Sequence, residues 1–322
     1  TAARAQKTKE FVPTPGKFPP PKSGRYFAGE LVAIDPVNRR GALRLDGDNV
    51  SDKYHRAPSH KFALLPCGMI HYHGSPAELR DVPIGTHLHG YFYLSPKGDK
   101  SVPPPVGTPK AVSYVPKHNY AVLLEDDVSF YTHRGQKWKI AKVDLKKGKL
   151  YVVSSVTKAA EGLTGEQTFS IDRSTRVWKG RGFAKLEDLV TGQDVQFNLT
   201  WDPKWANRVF QLADVWVDAE SRKVSAERQR QIHIRYQHFR WLAASVDRVD
   251  QKPGGAGLVT LTLLGGMGPS LYDELKAAKT VSLAVAEKTL RRWWHGFGMK
   301  SGRVVSFKRT RNPPPGSSGI HL

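Results

Sequence analysis

WKIAKVDLKKGKLYVV, residues Trp138 to Val153, decides the fold. It opens on an aromatic, and its apolar residues alternate up to the pair Val143-Asp144. A turn containing Gly148 follows, and alternation resumes at Leu150 and Val152. Period-two alternation on both sides of a short polar turn is the pattern of a β-hairpin with one buried face. The arrangement occurs twice more. FAGELVAIDPVNRRGALRL, from Phe27, carries Ile34-Asp35 before its turn, and WLAASVDRVDQKPGGAGLVTLTL, from Trp241, carries Val246-Asp247. Three such hairpins about 105 residues apart predict a tandem array. Asp35, Asp144 and Asp247 each follow a strand and precede a turn, where a carboxylate accepts from turn amides.

The segments after the hairpins also correspond. KFALLPCGMIHYHGSPAELRDVPIGTHLHGYFYL, from Lys61, lies against TFSIDRSTRVWKGRGFAKLEDLVTGQDVQFNL, from Thr168, so that Leu79, Asp81 and Gly85 fall on Leu186, Asp188 and Gly192. TVSLAVAEKTLRRWWHGFGMKSGRVVSF, from Thr280, keeps the strands but shortens the Leu-x-Asp segment. Closing strands follow the first two units, AVLLEDDVSF at Ala121 and VFQLADVWV at Val209. About five strands per unit predict three tandem OB-like small β-barrels in a mainly β chain. The second unit resembles a bacterial exported barrel domain of unknown function. It shares that family's hydrophobic-Asp hairpin (Val143-Asp144), Thr-x-hydrophobic strand (Thr175 to Val177) and Leu-x-Asp-Leu-x-x-Gly-x-x-Val (Leu186 to Val195). The resemblance is looser in the first unit and weakest in the third. It implies an exported barrel without catalytic residues, and supplies no ligand.

These boundaries divide the chain into a basic Pro-rich arm (residues 1–25), a first barrel with a Pro-rich insertion (26–131), a second barrel (132–220), a linker helix (221–240), a third barrel (241–310) and a tail (311–322). In the helix, SAERQRQIHIRYQHFRW, Ser225 is the expected cap, and Ile232, Tyr236 and Phe239 fall on one face. The arms are expected to be extended and to join neighbouring copies of the chain. No run of the chain is apolar enough to span a membrane. A first residue Thr1 in place of Met points to a processed, exported chain, secreted to the extracellular space or the periplasm. Cys67 is the only cysteine, which excludes an internal disulfide and a cysteine zinc site.

Fifty Lys+Arg against 29 Asp+Glu give a formal charge of +21, a field that concentrates polyanions. Tyr72-His73-Gly74, Trp178-Lys179-Gly180 and Trp294-His295-Gly296 occupy the same place in the three units. Alternation makes Val177 inward and turns Arg176 outward with Trp178. In the third unit Arg291, Arg292, Trp293 and Arg303 surround the motif, and Arg228, Arg230 and Arg235 add a basic stripe on the helix. An aromatic face beside a cation suits stacking on a base or sugar while neutralising its anion. The leading expectation is therefore an exported, non-enzymatic protein that binds a polyanionic polymer. Single-stranded nucleic acid stands ahead of acidic polysaccharide. The second is a structural subunit of a filament or surface layer, joined through its arms.

The third is a metal-binding module, with no other cofactor expected. Six of the twelve histidines, His55, His60, His71, His73, His87 and His89, lie between residues 55 and 89 of the first unit. His-x-His on a strand puts both imidazoles on one face, so His71, His73, His87 and His89 could offer four nitrogens to a divalent metal. GTHLHG, residues 85–90, is similar to the cupin metal motif, but Tyr91-Phe92-Tyr93 stands where its glutamate is expected. The corresponding positions of the second unit are Val177, Lys179, Asp194 and Gln196, which confines any such site to the first. No nucleophile elbow, P-loop, Rossmann glycine pattern or HExxH motif occurs.

Overall fold

The computed structural model describes residues 24–36, 38–46, 59–95, 97–98, 116–201, 210–239, 242–251, 257–263, 280–285, 301, 304–309 and 320–321. Over them the chain is mainly β, as its alternation predicts. The first unit contains β1 (Arg25–Asp35), β2 (Arg40–Leu45), β3 (His60–Tyr72), β4 (Ser75–Ala77), β5 (His87–Leu94) and β6 (His118–Asp126). β1 pairs with β2, β2 with β3, β3 with β6, β6 with β5 and β5 with β1, which closes a five-stranded barrel. The β3–β6 pair is parallel and the rest antiparallel, an OB-like closure.

The second unit contains β7 (Trp138–Asp144), β8 (Lys149–Ser154), β9 (Glu166–Ser170), β10 (Arg176–Lys179), β11 (Gly182–Ala184), β12 (Asp194–Trp201) and β13 (Phe210–Trp216). β7, β8, β9, β13 and β12 close in the same order. Here β9 and β10 each run parallel to β13, where the first barrel uses the single long strand β3. In the third unit, β14 (Leu242–Gln251), β15 (Gly257–Leu263), β16 (Thr280–Val285), β17 (Val304–Arg309) and β18 (Ile320–His321) form a sheet in the order β16-β15-β14-β17-β18. That is the neighbour order of β3-β2-β1-β5-β6, with no closing pair among the described residues. The end of the tail returns to pair with β17.

The local chemistry explains the shared motifs. Asp35 accepts from the amide of Asn38 (3.2 Å) and Asp144 from that of Lys147 (3.1 Å), both closing turns. Asp247 does not act this way. It lies inside β14 and accepts from the Thr262 hydroxyl on the neighbouring strand at 2.7 Å. Each first strand has a bulge, after Leu31, Ile140 and Val246, and three residues beyond the bulged position stand Asp35, Asp144 and Asp250. The bulge sets the register, so Val249-Asp250 and not Val246-Asp247 is the counterpart of Val143-Asp144. The Leu-x-Asp motifs are single 3-10 turns, Leu79–Asp81 and Leu186–Asp188. In each the aspartate accepts from the amide three residues before it, Glu78 or Lys185, at 2.9 Å. Gly85 (φ 95°) and Gly192 (φ 87°) then take the left-handed conformation that other residues resist.

Two helices are described, where one was expected from the sequence. AVLLEDDVSF does not remain a strand. At Asp127 it turns into α1 (Asp127–His133), because the Asp126 side chain caps the helix by accepting from the Ser129 amide at 3.0 Å. Phe130 and Tyr131 of α1 join Trp138, Ile140, Phe169, Phe197 and Leu212 in the core of the second barrel. The first barrel has its own core, which includes Leu31, Leu43, Phe62, Ile70, Leu88, Phe92 and Leu124.

The second helix, α2 (Ala219–Phe239), starts six residues before the expected cap. Asp218 accepts from the Ser221 amide at 2.6 Å, while Ser225 lies mid-helix with its hydroxyl on the Arg222 carbonyl. The inward face is polar. Ser221, Ser225, Gln229 and His233 are buried at four-residue spacing, and Ile232 is 46% exposed. Ser75 donates to the Ala226 carbonyl at 2.7 Å and Gln229 reaches Pro76 and Asp81. Apolar periodicity could not find a face held by hydrogen bonds.

His60 gives the first barrel a pH signature. Its ring lies between Phe27 and Phe92, with Nε2 2.7 Å from the His118 carbonyl, and burial lowers its pKa to about 4. The unfolded chain takes this proton near 6.5 and the folded chain does not. Its contribution is therefore complete above pH 6.5 and lost as pH falls from there towards 4. Chemical denaturation of the wild type should lose roughly 3 kcal/mol across that window relative to His60→Phe. Parallel profiles for the two proteins would assign the titration elsewhere.

Candidate metal centre

Where β6 becomes α1, three consecutive carboxylates are buried: Glu125, Asp126 and Asp127 are 1%, 0% and 0% exposed. Each charge must be compensated locally. Asp126 accepts from the Ser129 amide, the His73 amide (2.7 Å) and the Asn198 side chain (2.8 Å). Asp127 accepts from His87 Nδ1 (2.8 Å), His89 Nε2 (3.0 Å) and the Leu199 amide (2.8 Å). Asn198 and Leu199 belong to β12 of the second barrel, so these two carboxylates bind one barrel to the other.

Glu125 is compensated differently. His71 stands directly opposite it on β3, with Nδ1 3.7 Å from Oε1, and His133, in the last turn of α1, brings its Nδ1 to 2.6 Å from the same oxygen. The imidazole rings lie 4.9 Å apart at 78°. Arg134 donates to Oε2 at 3.3 Å. Burial alone pushes the Glu125 pKa up. The hydrogen bond from His133, the neighbouring His71 imidazole and the charges of His133 and Arg134 overcome that and hold it well below the carboxylate range. One ligand atom from each of His71, Glu125 and His133 falls in a group whose members all lie within 4.8 Å of one another. His71 Nδ1 is buried yet has no hydrogen-bond partner, while the side chains of His71 and His133 are 23% and 37% exposed. A basic nitrogen aimed at an ionised carboxylate, with solvent access, fits a divalent cation.

His87, His89 and Asp127 form a second group of this size, entirely buried. Their donors are consumed. His87 also reaches Asp46 through Nε2 (2.9 Å), and His89 Nδ1 faces the Tyr26 hydroxyl (2.6 Å). Burial lowers the pKa of His87, but Asp127 and Asp46 raise it well above the ordinary value, whereas burial leaves that of His89 lowered. His87 is therefore an imidazolium held between two carboxylates.

The four histidines singled out by sequence thus go to three places. His87 and His89 share a face, as alternation requires, with ring centroids 5.0 Å apart. His71 joins Glu125 and His133. His73 leaves the strand in a left-handed turn (φ 55°), stacks on Tyr72 at 3.9 Å and lies edge-on to Trp216 at 5.0 Å. Its Nε2 is 3.9 Å from Asp214.

The aromatic-basic positions are also resolved in part. Val177 faces the core, and Arg176 and Trp178 share the opposite face, as alternation predicts. On that face Trp178 is covered while Arg176 is exposed. Trp178 is 4% exposed, donates to Asp214 at 2.7 Å and stacks parallel to Trp216, and Arg176 donates to the same carboxylate at 2.8 Å. Arg228 lies over the Trp178 ring at 5.5 Å, and Tyr72 is buried. Lys179 and Arg235 are exposed, and Arg230 pairs with Glu227. Arg291, Arg292, Trp293, Trp294, His295 and Arg303, with His55 and the N-terminal arm up to Ser23, lie outside the described residues. Sequence reading misses Glu125, Asp126, Asp127, His133, Arg134 and Asp214. The signal for the first three was an acidic run inside an apolar strand of a strongly basic chain.

No family model matches the chain, and no curated protein does. Among solved structures it is similar to a copper(II) form of a tryptophan-to-alanine variant of CusF from Escherichia coli, with 19% identity over 26% of this chain and 89% of that one and a TM-score of 0.19. It is likewise similar to silver(I)-bound CusF from Escherichia coli, with 18% identity, the same coverage and the same TM-score. Among the described residues, no helix is long and apolar enough to cross a membrane.

The burial of Trp178 is testable. Trp178→Ala should cost about 3–5 kcal/mol in denaturant unfolding, as for a large core side chain. A change under about 1 kcal/mol would mean that the ring is free to stack on a ligand.

Proposed function

We propose that the protein is a metal-binding module whose centre is His71, Glu125 and His133. The observation that carries this reading is the unpartnered, buried Nδ1 of His71, facing a carboxylate that His133 already shares. Two imidazoles and one carboxylate suit borderline divalent ions, Zn²⁺ and Cu²⁺ above all, and suit Mg²⁺ and Ca²⁺ poorly. The ligands sit on stiff supports: β3 and β6 are paired at His71 and Glu125, and His133 ends a capped helix. Arg134 holds the second oxygen of Glu125 and balances its charge. Three protein ligands leave coordination positions open to water or to an exchange partner.

Calorimetric titration of the full chain should show one equivalent of Zn²⁺ or Cu²⁺ bound, and no Mg²⁺. His71→Ala and His133→Ala should each weaken binding at least about 10–100-fold, the loss typical of even an outer-shell change. Binding should fall away in acid, because imidazole must be neutral to ligate. Unchanged affinity in both histidine variants would overturn the assignment.

A further inference from the structure

Arg134 joins this centre to the second barrel, and we propose that metal occupancy is relayed through it to the loop between β8 and β9. The inference rests on the metal-centre reading above. Arg134 follows His133 directly and caps α1. One guanidinium nitrogen donates to Glu125 Oε2 (3.3 Å) and to the Phe130 carbonyl (3.0 Å). The other donates to the Tyr91 hydroxyl (2.7 Å) and lies 3.6 Å from Glu161 Oε2. Tyr91 in turn donates to Glu161 at 2.5 Å. The guanidinium carbon lies 3.5 Å from the centroid of the Phe130 ring, which holds the group between the two carboxylates.

Glu161 belongs to the loop that connects β8 to β9. Elsewhere this loop is held by the Leu163 amide on the Tyr131 hydroxyl (3.0 Å), by Gln136 on the Leu163 carbonyl (2.8 Å) and by the Gly165 amide on the Val156 carbonyl (3.1 Å). Without a metal, Arg134 divides its charge between Glu125 and Glu161. A dication on Glu125 neutralises that carboxylate and repels the guanidinium, which shifts its pairing to Glu161 and Tyr91. The loop is then held more tightly. Linkage makes the effect reciprocal: Glu161 favours metal binding because it gives Arg134 another partner. Glu161→Gln leaves Arg134 on Glu125 and weakens the metal site. Arg134→Gln removes the competitor and the relay together.

The test is Zn²⁺ calorimetry on the full-length wild type, Glu161→Gln, Arg134→Gln and the double variant, with hydrogen exchange across residues 155–165 in the wild type with and without Zn²⁺. Glu161→Gln should weaken Zn²⁺ binding about fivefold in the wild-type background and less than about twofold in the Arg134→Gln background. Zn²⁺ should slow exchange at the Leu163 and Gly165 amides. Equal losses in both backgrounds, or loop exchange that ignores Zn²⁺, would overturn the relay. The exchange arm needs no variant, so misfolding of Arg134→Gln leaves a decisive result. If His71→Ala abolishes binding while Glu161→Gln binds as the wild type, the relay alone fails. If the wild type binds no Zn²⁺, the centre fails and the relay with it.

Discussion

Three adjacent buried carboxylates at the end of β6 are the constraint on which the arrangement depends. An ionised carboxylate taken out of water costs several kcal/mol unless donors surround it. Glu125, Asp126 and Asp127 point in different directions, so each recruits its own set. Asp126 closes the helix turn and reaches Asn198, and Asp127 is held by an imidazolium, an imidazole and the Leu199 amide. The compensation that permits burial also places α1 in the second barrel's core and fixes the two barrels against each other.

The same constraint separates the site from the scaffold. Around Asp126 and Asp127 the donors are consumed, and burial is complete. Around Glu125 one imidazole nitrogen remains without a partner and both rings reach solvent. Arg134 supplies the balance of charge there, and it is the group that a dication would displace. The proposed centre thus stands where the compensation of a buried charge is left incomplete.

The fold was legible because alternation, a glycine turn and Leu-x-Asp are local signals. Phe27, Trp138 and Trp241 introduced the right strands, and Val177 faced inward as read. Where the reading failed, the cause was tertiary. Asp247 shares its sequence context with Asp144, but it stands at the bulged position of β14, and the counterpart of Asp144 is Asp250 three residues on. Trp178 faces out of its own barrel, as alternation says, yet α2 and the turn carrying His73 cover it. His71 was legible as a candidate ligand. Its partners were not, since Glu125 reads as strand and His133 as the start of the second barrel, and only the turn into α1 brings the three together. The histidine pattern alone would have combined His71 with His73, which a left-handed turn carries away.

X-ray absorption of the full chain loaded with one equivalent of Zn²⁺ tests the centre most directly. The account predicts a shell of nitrogen and oxygen at about 2.0–2.2 Å, with the outer scattering of two imidazoles and no sulfur. That imidazole scattering should be lost when His71 and His133 are both replaced by alanine. A shell of oxygen alone, or one unchanged in the double variant, would contradict it.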